Sequence, residues 1–356
     1  MTINSTKIFI SEKNLIHNMK YLTEAFGKKV LAVVKSNAYG HDINLITKVL
    51  YKHGYREFAV ARLVEAEKII TVPELKNSKI LIFESIGQEA LDIIKLNPAF
   101  YMTANTFEEL QEALDYGVPS EKIQIKIDFG FGRNGIEIKD IEKLKSFIEQ
   151  NDLKFAGIYS HLFSVTYDEG IILIEKFNEI VNLLGKNRFE MIHLQNSAAV
   201  ENFGSLKITT HIRTGMLIYG LQEEGFYDKN LKQVFSLVGK VAGIRNLENS
   251  NYLAYNLKTD LGAGDCKYTA KVKIGYGDGF LKLNQGTKCL IKNKEFNITL
   301  VTMDNSFIEV DSSVKEGDTV IFYPNQSLVI PQLRMTIYEL LTILSTRLER
   351  VLAEKL

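Results

Sequence analysis

The sequence predicts an α/β chain: an N-terminal (β/α)8 TIM barrel over residues 1–230, then a C-terminal mostly-β domain over residues 231–356. Three observations predict it. Short β-rich runs alternate with helical patterns through the first two-thirds of the chain. Eight such runs occur there, the count of a (β/α)8 barrel. From about Leu231 onward, strand-like runs follow one another with only turn residues between them. The alternation alone also permits a doubly wound sheet. In either fold the C-terminal ends of the strands face the ligand.

The eight expected strands span residues 30–35, 57–61, 79–83, 99–104, 122–128, 155–161, 191–196 and 211–216. Helical faces lie between them. Ile43, Ile46, Val49 and Leu50 form one; Ile172, Leu173, Phe177, Ile180 and Leu184 form another. The charged stretch 222–232 is the expected junction. Beyond it, strands are expected over 235–244, 268–274, 288–291, 298–303, 307–310 and 319–322, with turns at 275–279 and 316–318. A helix over 337–351 would close the domain.

Composition narrows the function classes. Lys+Arg and Asp+Glu are both 43, so the formal charge is zero, which argues against nucleic-acid and membrane-surface partners. Cys266 and Cys289 make no disulfide framework and sit in no metal-ligand spacing, so no metal is expected. Residues 1–9 lack an apolar signal core, and no apolar run is long enough to span a bilayer. A cytoplasmic protein is expected.

Polar residues gather where the strands end. Lys35 ends the first, after a fully apolar run. A lysine there loses water, and desolvation lowers its pKa toward the range of a nucleophile or base. Such an amine forms a Schiff base with an aldehyde, and pyridoxal phosphate is the common one in amino-acid chemistry. A strand-end lysine can also snorkel to solvent. Lys126 and Asp128 lie in the fifth strand, and Arg133 follows it. His161 ends the sixth, His193 lies in the seventh before Asn196 and Ser197, and Arg213 lies in the eighth. Each alone reads equally as a core or paired residue. Only a barrel mouth gathers residues so far apart in sequence. Together they suit a phosphorylated aromatic aldehyde. Ser197, Tyr39 and the amides of Gly215 and Met216 would take the phosphate, and the permanent charge of Arg213 would face a ring nitrogen and keep it unprotonated.

The motif Ala32-Val-Val-Lys-Ser-Asn-Ala-Tyr-Gly-His41 resembles the cofactor-lysine signature of the alanine racemase family. Further matches follow in order: residues 126–135 (KIDFGFGRNG), Ser160-His161, residues 193–199 (HLQNSAA), residues 213–221 (RTGMLIYGL), residues 274–279 (IGYGDG), Met303-Asp304 and residues 336–339 (TIYE). The resemblance runs from about Lys7 to Arg347. It implies a pyridoxal 5'-phosphate-dependent racemase that interconverts L- and D-alanine by a two-base mechanism and supplies D-alanine for cell-wall synthesis, as a homodimer with shared active sites. It implies that Lys35 binds the cofactor covalently, that Arg213 faces the pyridine nitrogen, and that His161 lies against the ring. Tyr39, Asn196, Ser197, Gly215, Met216 and Tyr338 would complete the cofactor site. Arg133 and the partner's Met303 would close on the substrate carboxylate. Lys126 matches a lysine carbamylated in many members; a plain pairing of Asp128 with Lys126 or Arg133 is the alternative. Tyr255 of the partner would be the base opposite Lys35. Phenols titrate near ~10, so a tyrosine base needs positive potential nearby; His161 and Arg213 would supply it.

Several positions leave the family pattern. Ala254 and Asn256 flank Tyr255, and the segment 257–261 is unusual. Thr302 stands where a cysteine is common. Leu300, Thr166 and Lys282 stand where an entrance arginine, aspartate and arginine are often found, and Asp42 replaces a glycine and suits a helix N-cap. A corridor without those charges suits a larger side chain. A racemase of serine, lysine, ornithine or histidine is therefore the alternative to alanine. A decarboxylase of the same fold would need a glycine-rich phosphate loop and a catalytic cysteine, which the sequence lacks. A non-catalytic pyridoxal-phosphate carrier would need neither Tyr255 nor Met303.

Overall fold

A computed structural model describes residues 6–163, 166–222, 228–248, 250–257, 267–324 and 335–353. Cys266, residues 223–227 of the expected junction and residues 258–261 of the unusual segment lie outside the described residues. The chain divides into two compact units. One holds Leu15–Gly220 and Asp228–Lys232; the other holds the N-terminal residues to Asn14 and the chain from Gln233 onward.

The strands in chain order are β1 (Lys7–Ser11), β2 (Lys29–Val33), β3 (Glu57–Val60), β4 (Lys79–Ile82), β5 (Phe100–Ala104), β6 (Ile123–Asp128), β7 (Ile136–Glu137), β8 (Phe155–Tyr159), β9 (Phe189–His193) and β10 (His211–Thr214). They continue as β11 (Phe235–Asn246), β12 (Tyr252–Leu253), β13 (Asn256–Leu257), β14 (Tyr268–Val272), β15 (Lys288–Ile291), β16 (Lys294–Val301), β17 (Ser306–Val310), β18 (Thr319–Phe322) and β19 (Glu349–Ala353).

In the first unit the order is β10-β2-β3-β4-β5-β6-β8-β9, every pair parallel. The Thr210 amide donates to the Ile192 carbonyl at 2.8 Å and the Arg213 amide to the Gln195 carbonyl at 3.0 Å, drawing the last strand to the first. The result is the expected eight-stranded barrel. Leu31, Val33, Ala59, Leu81 and Tyr159 pack together as one cluster of its core. Helices between the strands bury one face each. Over Ile43–Lys52 the buried set is Ile43, Ile46, Thr47, Val49 and Leu50, and Asp42 caps the helix by accepting from the Leu45 amide at 3.0 Å. Over Tyr167–Leu183 the buried face is Gly170, Ile174, Phe177, Ile180 and Val181. Ile172, expected on that face, is exposed: its position falls about half a turn from the Ile174–Phe177–Val181 stripe.

The second unit is an eight-stranded sheet in the order β14-β17-β16-β15-β18-β11-β1-β19. β14 also pairs β11, so six strands close on themselves while β1 and β19 extend the sheet. The sheet borrows its seventh strand from the start of the chain: Ile8 and Ile10 are fully buried there. The helix expected over 337–351 is corrected to Ile337–Thr342, followed by strand β19. Beyond the helix, Arg350 takes the carbonyls of Leu344, Ser345 and Leu348 at 2.6–2.9 Å and holds the turn that leads into the strand. The chain then pairs in parallel along β1, whose edge would otherwise be bare.

Candidate active site

Lys35 stands two residues beyond β2. The preceding Val34 is held by its amide on the Ala59 carbonyl at 2.8 Å, which fixes where the lysine leaves the barrel wall. Ser36, Asn37, Ala38 and Tyr39 then all take positive φ, between 52° and 56°. They make a left-handed turn with its own helical bonds: the Ala38 amide to the Val34 carbonyl at 2.8 Å and the Gly40 amide to the Ser36 carbonyl at 3.0 Å. Such a conformation costs roughly 1–2 kcal/mol per non-glycine residue. Side chains offset this by holding the turn from outside. Glu65 accepts the Ser36 amide at 2.5 Å, and the Asn37 side chain accepts the Ile43 amide at 3.1 Å. His41, buried, stacks on Tyr219 at 4.3 Å. The Lys35 amine is pulled below its ordinary pKa, first by burial and then by the charges of Arg133 and Arg213.

Arg213 points into the barrel, 6% exposed. One guanidinium nitrogen donates to His193 Nδ1 at 2.6 Å and another to the Ser160 carbonyl at 2.9 Å. An arginine only donates, so His193 Nδ1 accepts, and its Nε2 carries the hydrogen given to Gln124 Oε1 at 2.7 Å. Burial and the Arg213 charge hold His193 neutral, well below its usual range. Tyr159 stacks on His193 at 4.7 Å, and the Arg213 guanidinium lies 5.1 Å from its ring. Burial pushes the Tyr159 phenol up to about 12, so it bonds Thr103 Oγ1 at 3.0 Å as a neutral group. His161 is pulled down to about 3 by burial and then by Arg213, Arg133, Lys126 and Lys35. Asn196 Nδ2 donates to its Nε2 at 3.3 Å and caps the helix Ser197–Phe203 by accepting from the Ala199 amide at 2.9 Å.

Tyr39, Ser197, Gly215 and Met216 come together beside this network. Ser197 and Thr214 share a hydroxyl bond of 2.7 Å. A Cβ on Gly215 would meet Tyr39 Oη and ring carbons at 2.6 Å, so only glycine lets the phenol lie flat against this backbone. Tyr219 packs on the other side of Tyr39, 5.6 Å between ring centres.

Lys126 is buried on β6, and burial with the charges of Arg133 and Arg213 lowers its amine to about 8. The Asp128 carboxylate accepts from the Gly130, Phe131 and Gly132 amides at 2.8–3.0 Å. It therefore shapes the loop before Arg133. The Arg133 guanidinium stacks over Phe131 at 4.7 Å, and Phe131 reaches His161 at 5.2 Å. A cleft of about 590 Å³ opens beside this loop, lined by Asn105, Glu109, Asp128 and Arg133 among others.

Tyr255, Met303 and Tyr338 belong to the second unit. Tyr255 is 89% exposed on the turn joining β12 to β13, and Met303 is 55% exposed after β16. Tyr338 is half-buried on the helix Ile337–Thr342. The Met303 carbonyl accepts the Gly277 amide at 2.9 Å, and Arg347 bridges Asp304 at 3.0 Å and Asp278 at 3.3 Å. The matched segments 274–279 and 303–304 thus meet in one small structure. Of the departing positions, Thr166 caps the helix Tyr167–Leu183, the Lys282 amine lies 5.6 Å from the Tyr276 ring, and Leu300 is buried with Leu247 and Leu253. Sequence reasoning missed Gln124, Tyr159 and Tyr219. Gln124 and Tyr159 lie in strands among apolar neighbours, and only the barrel's closure turns them toward Arg213.

Comparison with known proteins follows the same outline. The model of the alanine racemase N-terminal domain matches residues 10–223, and that of the C-terminal domain matches residues 234–352. An alanine racemase from Fusobacterium nucleatum subsp. nucleatum is 30% identical over 363 residues, covering 98% of this chain and 99% of its own. One from Aquifex aeolicus is 30% identical over 351 residues, covering 96% and 97%. The solved structure of alanine racemase from Bacillus anthracis with bound L-Ala-P is similar at a TM-score of 0.83 and 25% identity, across 98% of this chain and 96% of that one. Among described residues, no helix is long and apolar enough to cross a membrane.

Proposed function

The chain belongs to the alanine racemase family, and from that premise we propose that it interconverts L- and D-alanine with pyridoxal 5'-phosphate, as a homodimer with shared active sites. The residues present fit that cofactor. The Tyr39 phenol packed on the Gly215 backbone and the Ser197 hydroxyl bonded to Thr214 gather hydroxyls and amides into a cradle that suits a phosphate held by Tyr39, Ser197, Gly215 and Met216, with Tyr338 completing it. When bound, the cofactor supplies an electron-withdrawing ring that acidifies the Cα–H of the attached amino acid.

The chain's own residues do the rest. Lys35 would hold the cofactor covalently and, as a free amine, would serve as the base on one face; its lowered pKa suits both tasks. Arg213, held by the neutral acceptors His193 Nδ1 and the Ser160 carbonyl, would give a hydrogen bond to the ring nitrogen and keep its own proton, since a guanidinium stays charged at neutral pH. An arginine there, unlike an acid, would leave the ring nitrogen unprotonated, which favours return of the proton to Cα over side reactions. Neutral His161, placed by Asn196, lies against the ring. Tyr255 of the partner is the base on the other face, so neither face needs the substrate to turn over. Arg133 and the partner's Met303 hold the substrate carboxylate. Lys126 orients Arg133 as a carbamate. An amine near 8 is roughly a tenth neutral at pH 7, against well under a thousandth at its ordinary value, and only the neutral amine takes up carbon dioxide.

The observation that carries this reading is Lys35: a depressed amine fixed by a left-handed turn at the mouth of a barrel, within reach of the buried charge of Arg213. The test is incubation of the purified protein and cofactor with single L-amino acids, followed by chiral chromatography. Alanine is expected to racemise and Lys35→Ala to abolish it. Inert alanine beside an active larger amino acid would replace the substrate.

A further inference from the structure

The tyrosine assigned as second base sits on a weak element. β12 and β13 are two residues each, paired Tyr252 with Leu257 and Leu253 with Asn256. Among the described residues they form a sheet of their own and share no ladder with the eight-stranded sheet. Ala254, in the turn, is held at φ 50°, a conformation that disfavours an alanine. A hairpin this short is not stable alone. Tyr252 and Tyr255 are exposed and contribute little packing. Among the described side chains from Tyr252 to Asn256, Leu253 alone is buried, at 4%.

Leu253 packs with Leu247 and Leu300, and Phe307 closes the group. Leu300 reaches that place because the register between β16 and β17 shifts between Ile298 and Leu300. The bulge sets Leu300 opposite Phe307, and Thr299 Oγ1 pins it by donating to the Phe307 carbonyl at 3.1 Å. Burying an arginine in this group would leave its charge without water.

We propose that Leu300 is a positioning residue: it seats Leu253, and so fixes the hairpin that carries Tyr255. The inference rests on the reading of Tyr255 as the second base. A loosened hairpin slows only the half-reaction that Tyr255 serves, and Lys35 is untouched.

The experiment compares Leu300→Ala, Leu300→Met, Ile298→Ala and Tyr255→Phe in the cofactor-loaded enzyme. It reads amide hydrogen exchange over residues 252–257, kcat and KM, and the isotope effects with Cα-deuterated L- and D-alanine. Leu300→Ala is expected to speed exchange in the hairpin and lower kcat about 10–100-fold, the scale of a displaced reacting group. Its isotope effect should grow in the direction where Tyr255 removes the proton and shrink in the other. Leu300→Met, close in volume, should restore all three. Ile298→Ala, a cavity across the bulge, should lower the melting temperature and leave exchange and isotope effects as they were. Should Leu300→Ala not fold, Leu300→Val must show the same changes in smaller degree. An inactive Tyr255→Phe beside a Leu300→Ala (or Leu300→Val) enzyme with unchanged exchange and isotope effects would overturn the positioning role alone. A fully active Tyr255→Phe would overturn the second-base reading and this inference with it.

Discussion

Arg213 keeps its charge inside the barrel because its hydrogen-bond partners are all acceptors held by others: His193 Nδ1 by way of Gln124, and the Ser160 carbonyl by the backbone. That charge sets the state of its neighbours. His161 feels Arg213, Arg133, Lys126 and Lys35 from several sides, and burial adds to them. Its folded pKa of about 3 lies below the ordinary 6.5, so the unfolded chain takes up the proton first. His161 therefore contributes stability that is complete above about pH 6.5 and is lost as pH falls toward 3. The expected observation is a His161 ring signal, assigned by comparison with His161→Gln, that stays flat in NMR between pH 8 and pH 5. A midpoint near 6.5 would mean that the surrounding cations do not reach it. Lys35 and His161 were legible in the sequence because a polar residue ending an apolar run is conspicuous, and Arg213 because it stands in an expected strand where the other polar strand residues gather. The neutral tautomer of His193 was not, since it depends on an arginine 20 residues on and a glutamine 69 residues back.

The turn over Ser36–Tyr39 shows how an element can be hidden in its own sequence. Four side-chain-bearing residues in a left-handed path leave no glycine signal, apart from Gly40 at its end. Asp42 as an N-cap was legible, because an acidic residue before an apolar helical face has a local reason. The C-terminal element was misread for the opposite reason. Residues 343–351 have helical spacing, but the vacancy beside β1 is a long-range fact. Gly215 makes the turn's position testable. In Gly215→Ala the new methyl meets Tyr39 at 2.6 Å, and Tyr39 cannot withdraw freely because Tyr219 lies behind it. The overpacking is expected to cost about 1–3 kcal/mol and to weaken cofactor binding about ten-fold or more, read by thermal unfolding and by cofactor titration. Adding Tyr39→Ala should return most of the stability and none of the affinity. If Gly215→Ala binds cofactor normally, the phosphate does not sit in this cradle.

Across the whole molecule, the chain alternates between its two units: it begins in the second, builds the barrel, and returns. The barrel was legible from eight regular runs alternating with helical patterns, since its strands are buried on both faces and most of them are rich in apolar residues. The place of β1 was not, because its ladder partners lie more than 200 residues away. A division of labour follows for the proposed chemistry. Lys35 belongs to one unit and Tyr255 to the other, and the family reading draws them from different chains. That is decidable without any structure of the assembly. Lys35→Ala and Tyr255→Phe are each expected to be inactive as homodimers. In a mixed dimer one site carries both lesions and the other carries neither. Random exchange makes half the dimers mixed, so about a quarter of all sites should regain turnover. The readout is racemisation after the two inactive proteins are unfolded together and refolded, with each refolded separately as a control. If each chain builds its own site, every site keeps one lesion and no activity returns at any ratio. The dependence on ratio adds a second check: recovered activity should follow the product of the two fractions and peak at equal amounts, as expected only when a working site takes one residue from each chain.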